Sequence, residues 1–220
     1  MRLFSSGTTG LPKAAITTHL NLIAQHELVY EHGSVGDFTH VSLFALPMFH
    51  AAMAPRAHTS AFRMRAGDTS YIMRRFDLEA FMRCIQDYGV TDLAVVPPMA
   101  VALIMTPLNK KYSLKSLRFG TCGAAPLRPE PQDRLRRLMG EDAPMTQVWG
   151  MTETTCIATR FEYPETDETG SVGYFLPNLD AKLVDDDGKD VSAYDVRGEL
   201  CVRGPTVIPG YFENPAADRA

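Results

Sequence analysis

The chain has 220 residues, 45% of them apolar and 22% charged, with a formal net charge of -4; this excludes a disordered segment and allows one substantial core. Its four cysteines, Cys84, Cys122, Cys156 and Cys201, lie far apart with no C-x-x-C pair, so a disulfide scaffold is excluded and a reducing, cytoplasmic compartment is expected. The cation pairs Arg74-Arg75 and Arg136-Arg137 build no basic stripe with interleaved aromatics, so no nucleic-acid partner is expected.

In chain order, the N-terminus MRLFSSGTTG turns polar after four residues, too early for the apolar region of a signal peptide. Residues 5 to 13, SSGTTGLPK, form a loop, and a helix is predicted from about Thr18 to Glu31. Short apolar runs then alternate with helical patterns between residues 40 and 150, the signature of a parallel sheet covered by helices. The predicted strands are Val41 to Leu46, Asp92 to Val96, Leu117 to Cys122 and Met145 to Trp149. Asp77 is a good N-cap for a helix that places Leu78, Phe81, Met82 and Ile85 on one face and stops near Gly89. A further helix follows Pro126, with Leu127, Leu135 and Leu138 at core positions.

The longest apolar stretch, Leu93 to Met105, is interrupted by Pro97-Pro98 and is shorter than the roughly 20 residues a bilayer needs, so no transmembrane segment is expected. After about residue 165 the pattern becomes β-rich, with AKLVD and GELCVRG separated by DDDGKD, whose Asp-Gly step is a turn signal. The fold class is therefore α/β: a parallel sheet with covering helices over residues 1–165, followed by a small β-rich subdomain over 166–220.

The loop Ser5, Ser6, Gly7, Thr8, Thr9, Gly10, Leu11, Pro12, Lys13 concentrates glycines, hydroxyls and one lysine. Glycines let consecutive N–H groups point at one anion, hydroxyls add rotatable donors, and Lys13 supplies compensating charge, so a triphosphate is the natural guest. The spacing matches neither the Walker P-loop nor the dinucleotide fingerprint. On composition alone the same stretch also suits a surface loop. His19, His26 and His32 miss the i, i+4 spacing of a helical zinc pair.

The stretch SSGTTGLPKAAITTHLNL resembles the signature loop and following helix of the AMP-binding superfamily, which includes acyl-CoA synthetases, 4-coumarate-CoA ligases and adenylation domains. Ala14 stands where that family commonly has glycine. A second family motif is similar to QVWGMTET, residues 147–154, at the end of a predicted strand, where ligand sites of open parallel sheets lie. The resemblance implies nucleotide contacts from Gln147, Trp149, Gly150, Met151 and Thr152, with Thr152 at the phosphate and Glu153 holding Mg²⁺. Taken by itself, Thr-Glu also serves as a helix start. Gly123-Ala124-Ala125-Pro126 resembles the segment that packs against adenine and acyl group; as composition it is equally a tight turn. LPMFH, residues 46–50, resembles the aromatic-His motif, so His50, with Gly123 and Gly150, is implied at the acyl pocket.

The resemblance implies an acyl-CoA ligase using ATP, Mg²⁺ and coenzyme A, with Lys13, Thr152 and Glu153 as catalytic residues and an aromatic or fatty carboxylic acid as substrate. It covers the central portion of the family architecture, so the ribose-binding T-G-D motif and the C-terminal lid domain with its lysine are expected to be absent. The alternative expectation is an inactive fragment that binds nucleotide or a partner.

Overall fold

The computed structural model describes residues 1–6, 11–31, 36, 38–57, 59 and 67–219. The chain opens on an antiparallel hairpin of β1 (Arg2–Ser5) and β2 (Lys13–Ile16), in which Ser5 faces Lys13 across the ladder. The expected loop over residues 5 to 13 is thus corrected at both ends, since Ser5 lies in β1 and Lys13 in β2. Gly7, Thr8, Thr9 and Gly10 lie outside the described residues.

Helix α1 (His19–His26) begins at Thr18, whose hydroxyl accepts from the Asn21 N–H while the Asn21 side chain accepts from the Thr18 N–H. This reciprocal cap satisfies two donors that a helix start leaves open. Asn21 Nδ2 also donates to the carbonyls of Pro205 and Val207, tying the helix to a loop nearly 200 residues away in sequence. The predicted helix to Glu31 is corrected in its last part: Glu27–Glu31 forms a wider π-helical turn. There Arg160 Nη1 donates to the Val29 carbonyl at 2.6 Å, and Leu28 and Val29 pack against Leu176.

A five-stranded parallel sheet follows, in the order β4-β3-β5-β6-β7, from β3 (Val41–Phe44), β4 (Thr69–Ile72), β5 (Asp92–Val95), β6 (Phe119–Cys122) and β7 (Met145–Gln147). Helix α2 (Leu78–Asp87) is capped by Asp77, which accepts from the Ala80 N–H at 2.8 Å. It turns Phe81, Met82 and Ile85 into the core, each no more than 2% exposed. Burial of side chains this size contributes about 1.5–3 kcal/mol each. Helix α3 (Pro97–Met105) starts on two prolines, suited to the first turn where N–H groups lack helical partners.

Two expectations shift here. The turn after Pro126 holds Leu127 outside any helix, and α4 (Pro129–Leu138) starts at Pro129. Leu127 is still buried, its N–H donating to Gln147. The run Met145 to Trp149 also breaks: Val148 still donates to the Cys122 carbonyl, but β8 (Trp149–Met151) leaves the parallel sheet. It pairs antiparallel with β9 (Cys156–Arg160), which pairs with β10 (Tyr174–Phe175). The hairpin of β11 (Asp180–Val184) and β12 (Glu199–Arg203) completes the described strands, as the AKLVD and GELCVRG patterns predict. Among the described residues no helix is long and apolar enough to cross a membrane.

Candidate active site

The C-terminal edge of the parallel sheet opens into a cleft of about 360 Å³. Its wall is supplied by Ser5 and Ser6 from the first hairpin, His50 from the loop after β3, Gly123 and Ala124 after β6, and Trp149, Gly150, Met151, Thr152 and Glu153 at β8. Parallel strands point their ends and following loops to one edge, so motifs more than 100 residues apart in sequence converge there.

The turn after β8 is shaped by backbone rather than by side-chain packing. A Cβ on Gly150 would lie 1.6 Å from the Cys156 carbonyl oxygen, so only glycine fits. Thr154 Oγ1 accepts from the Met151 N–H and donates toward the Met151 and Cys156 carbonyls. Thr155 and Cys156 have φ of 58° and 114°, and Ala124 has φ of 71°. Three non-glycine residues in left-handed conformations beside one cleft fit the tendency of strained backbone to concentrate where ligands bind.

Glu153 is held from below. Its Oε1 accepts from the Tyr211 hydroxyl at 2.7 Å, and its carbonyl accepts from the Ile208 N–H. Burial, then the bond to Glu153, push the Tyr211 phenol up to about 12, so it remains a donor at neutral pH. Tyr211 in turn is fixed to β2: Ala15 and Tyr211 form an antiparallel bridge, and Phe212 donates to the Ala14 carbonyl. Lys13 Nζ lies 5.1 Å from the Tyr211 ring centre, a cation–π distance. Lys13 and Glu153 thus meet through one tyrosine.

Other sequence-derived residues lie elsewhere. Gln147 is 2% exposed, and its amide is consumed by Leu127 N–H, Leu127 carbonyl and Gln132. It clamps the 123–127 turn onto β7 and does not line the cleft. Ala125 and Pro126 complete that turn without lining it. The Cys156 thiol is pushed up to about 12, chiefly by burial against an opposing Arg56 charge, which disfavours a thiolate nucleophile.

Sequence reasoning missed Tyr211 and a polar group on the sheet face. Arg56 Nη2 donates to Ser42 Oγ at 2.7 Å and to Asp92 Oδ2 at 3.2 Å, Ser42 Oγ donates to Asp92 Oδ2, and His40 Nδ1 lies 2.8 Å from Asp92 Oδ1. Burial alone would raise the Asp92 carboxyl, but the His40 bond, the Arg56 charge and the Ser42 bond outweigh it and hold it below its usual value. The only local signal was polar residues inside apolar strand patterns.

The donor set suits a magnesium ion carried on a polyphosphate. Among the described residues no group of three or more His, Cys, Asp or Glu could cage a metal. One carboxylate, Glu153, with hydroxyls around it matches Mg²⁺, which keeps water and phosphate ligands and needs one or two carboxylates.

Comparison with known proteins identifies the family. The family described as AMP-binding enzyme matches residues 1–212, and the chain belongs to that family. Phenylacetyl-CoA ligase epaB of Aspergillus niger is 50% identical, over 100% of this chain and 40% of its own length. The 4-coumarate--CoA ligase-like 9 of Arabidopsis thaliana is 37% identical, over 98% of this chain and 38% of its own. Among solved structures, O-succinylbenzoate coenzyme A synthetase of Bacillus subtilis in complex with ATP and magnesium ion is 25% identical with a TM-score of 0.82, covering 99% of this chain and 44% of that one. The chain therefore spans about 40% of the length of the curated relatives it matches.

Proposed function

We propose that the cleft is the adenylation site of an acyl-CoA ligase: a carboxylic acid, aromatic or fatty, reacts with ATP to give acyl-adenylate and pyrophosphate, and coenzyme A then displaces AMP to give the thioester. The observation that carries this reading is the meeting of Ser5, Ser6, Thr152 and Glu153 at one sheet edge, with Lys13 joined to Glu153 through Tyr211. Names of relatives such as the phenylacetyl-CoA ligase support it.

In this mechanism the hydroxyls and N–H groups of residues 5–10, with Lys13, bind the phosphates, and Thr152 adds a further donor. Mg²⁺ supplies charge neutralisation on the polyphosphate, and Glu153 is the residue that holds it, its carboxylate oriented by Tyr211. An acid oxygen held in line attacks the α-phosphorus, and the bond to pyrophosphate breaks as its charge is stabilised. Trp149, Gly123 and Ala124 form the wall on which a flat base packs, and His50 stands at the acyl side.

The test is acid-dependent release of pyrophosphate from ATP by the full-length protein, followed by thioester formation on adding coenzyme A. Acyl-adenylate trapped with at least one carboxylic acid is the expected result. Tight MgATP binding with no adenylate from any aromatic or fatty acid would replace the ligase reading with a nucleotide-binding module.

A further inference from the structure

The cleft residues Ser5 and Ser6 and the turn that carries Thr152 and Glu153 come from distant parts of the chain, and helix α1 reaches toward both. It follows β2, which begins at Lys13, and its Gln25 extends to the turn after β8. Gln25 is 1% exposed. One arm of its amide lies 3.1 Å from the Ile157 carbonyl and 3.2 Å from each of the Thr154 and Thr155 carbonyls. Only an NH2 group can meet three acceptors, so the nitrogen is assigned to that arm.

The turn needs such a donor. Thr154 and Thr155 are fully buried, and a buried carbonyl left without a donor carries its full desolvation penalty. Thr155 and Cys156 hold φ of 58° and 114°, conformations that residues other than glycine keep only when their surroundings fix them. Bonds to the carbonyls of 154, 155 and 157 fix the peptide planes on both sides of this strained pair.

A second set of bonds ties the same turn to α1. Asn21 Nδ2, one helical turn before Gln25, donates to the Pro205 and Val207 carbonyls. Thr155 Oγ1 donates to the intervening Thr206 carbonyl at 2.6 Å, and the Ile208 N–H donates to the Glu153 carbonyl. Neither Gln25 nor Asn21 lines the cleft.

We propose that Gln25 is a positioning residue for adenylation: its amide holds the strained turn so that Glu153 faces the phosphate site. It touches neither nucleotide nor metal and acts through Glu153. The proposal rests on the assignment of Glu153 to Mg²⁺ in the ligase reading.

The experiment is calorimetric titration of ATP, with and without Mg²⁺, into full-length wild type, Gln25→Met, Glu153→Gln and Phe81→Leu. Gln25→Met keeps the side-chain length and removes both N–H donors. It should bind ATP alone within about twofold of wild type yet need about tenfold more Mg²⁺ for half-maximal strengthening. Phe81→Leu, a core change on α2 away from the turn, should melt at a lower temperature and keep the wild-type Mg²⁺ dependence. Gln25→Glu, whose carboxyl burial keeps neutral and able to donate once, should fall between wild type and Gln25→Met, and it decides if Gln25→Met gives no cooperative melt. A wild-type Mg²⁺ dependence in the Gln25 variants, an equal loss with and without Mg²⁺, or the same loss in Phe81→Leu would overturn the proposal. If the Gln25 variants are normal while Glu153→Gln loses the strengthening, Gln25 falls and the metal assignment stands. If Glu153→Gln keeps the strengthening, or the wild type shows none, the metal assignment falls and takes the proposal with it.

Discussion

The two edges of the parallel sheet handle polarity in opposite ways. At the C-terminal edge, glycines, hydroxyls and a single carboxylate line an open cleft, and backbone shape does most of the work: Gly150 against the Cys156 carbonyl, Ala124 and Thr155 at positive φ. At the N-terminal edge, Asp92 gathers His40, Ser42 and Arg56 into a buried network on apolar walls. The difference teaches that the first edge is arranged to receive charge from outside, whereas at the second the Asp92 charge is already met by His40, Ser42 and Arg56.

The largest effect that would break this contrast is at Gly150. Gly150→Ala must displace the Cys156 carbonyl, so we expect a loss of about 4 kcal/mol in urea unfolding and an inactive cleft. A stable, active variant would mean the turn after β8 yields easily.

Asp92→Ala comes next, because it leaves the Arg56 guanidinium, 20% exposed, without its partner; about 3 kcal/mol is expected at pH 7. The pH dependence follows from the direction of the shift. The folded-state value of Asp92 is depressed, so its stabilisation is fully present above the unfolded carboxylate value of about 4 and is lost as pH falls through the folded value. Unfolding curves at pH 7 and pH 3 should therefore show the gap between wild type and variant narrowing in acid. A constant gap would remove Asp92 as an ionised hub.

Tyr211→Phe is the smallest change, one hydroxyl. It should cost about 1 kcal/mol of stability. It should also raise the Mg²⁺ concentration that supports half-maximal ATP binding about tenfold, by freeing the Glu153 carboxylate. An effect on melting alone would make Tyr211 a purely structural contact.

Much of the C-terminal edge was legible because its chemistry is local in sequence. GAAP and WGMTE each hold their groups within a few residues, and the strands predicted before or into them place them at strand ends, whereas the hairpin that carries SSGTTGLPK left no strand signal that was read. Core helix α2 was equally readable from Asp77 and the spacing of Phe81, Met82 and Ile85. What escaped depends on contacts across 36 residues or more: Arg56 and His40 on Asp92, Tyr211 under Glu153, Arg160 on the Val29 carbonyl. Gln147 was misleading for a related reason, since its place within the motif suggested nucleotide while its amide is spent on Leu127 and Gln132. The break after β7 left no sequence signal except Gly150, because the steric demand comes from a carbonyl six residues on.

The most direct test of the central claim is calorimetric titration of ATP, with and without Mg²⁺, into the wild-type protein and Glu153→Gln. The account predicts ATP binding that Mg²⁺ strengthens at least about tenfold in the wild type, and a variant that melts at the wild-type temperature but has lost that strengthening. Equal Mg²⁺ dependence in both proteins would contradict it and remove Glu153 from the phosphate site.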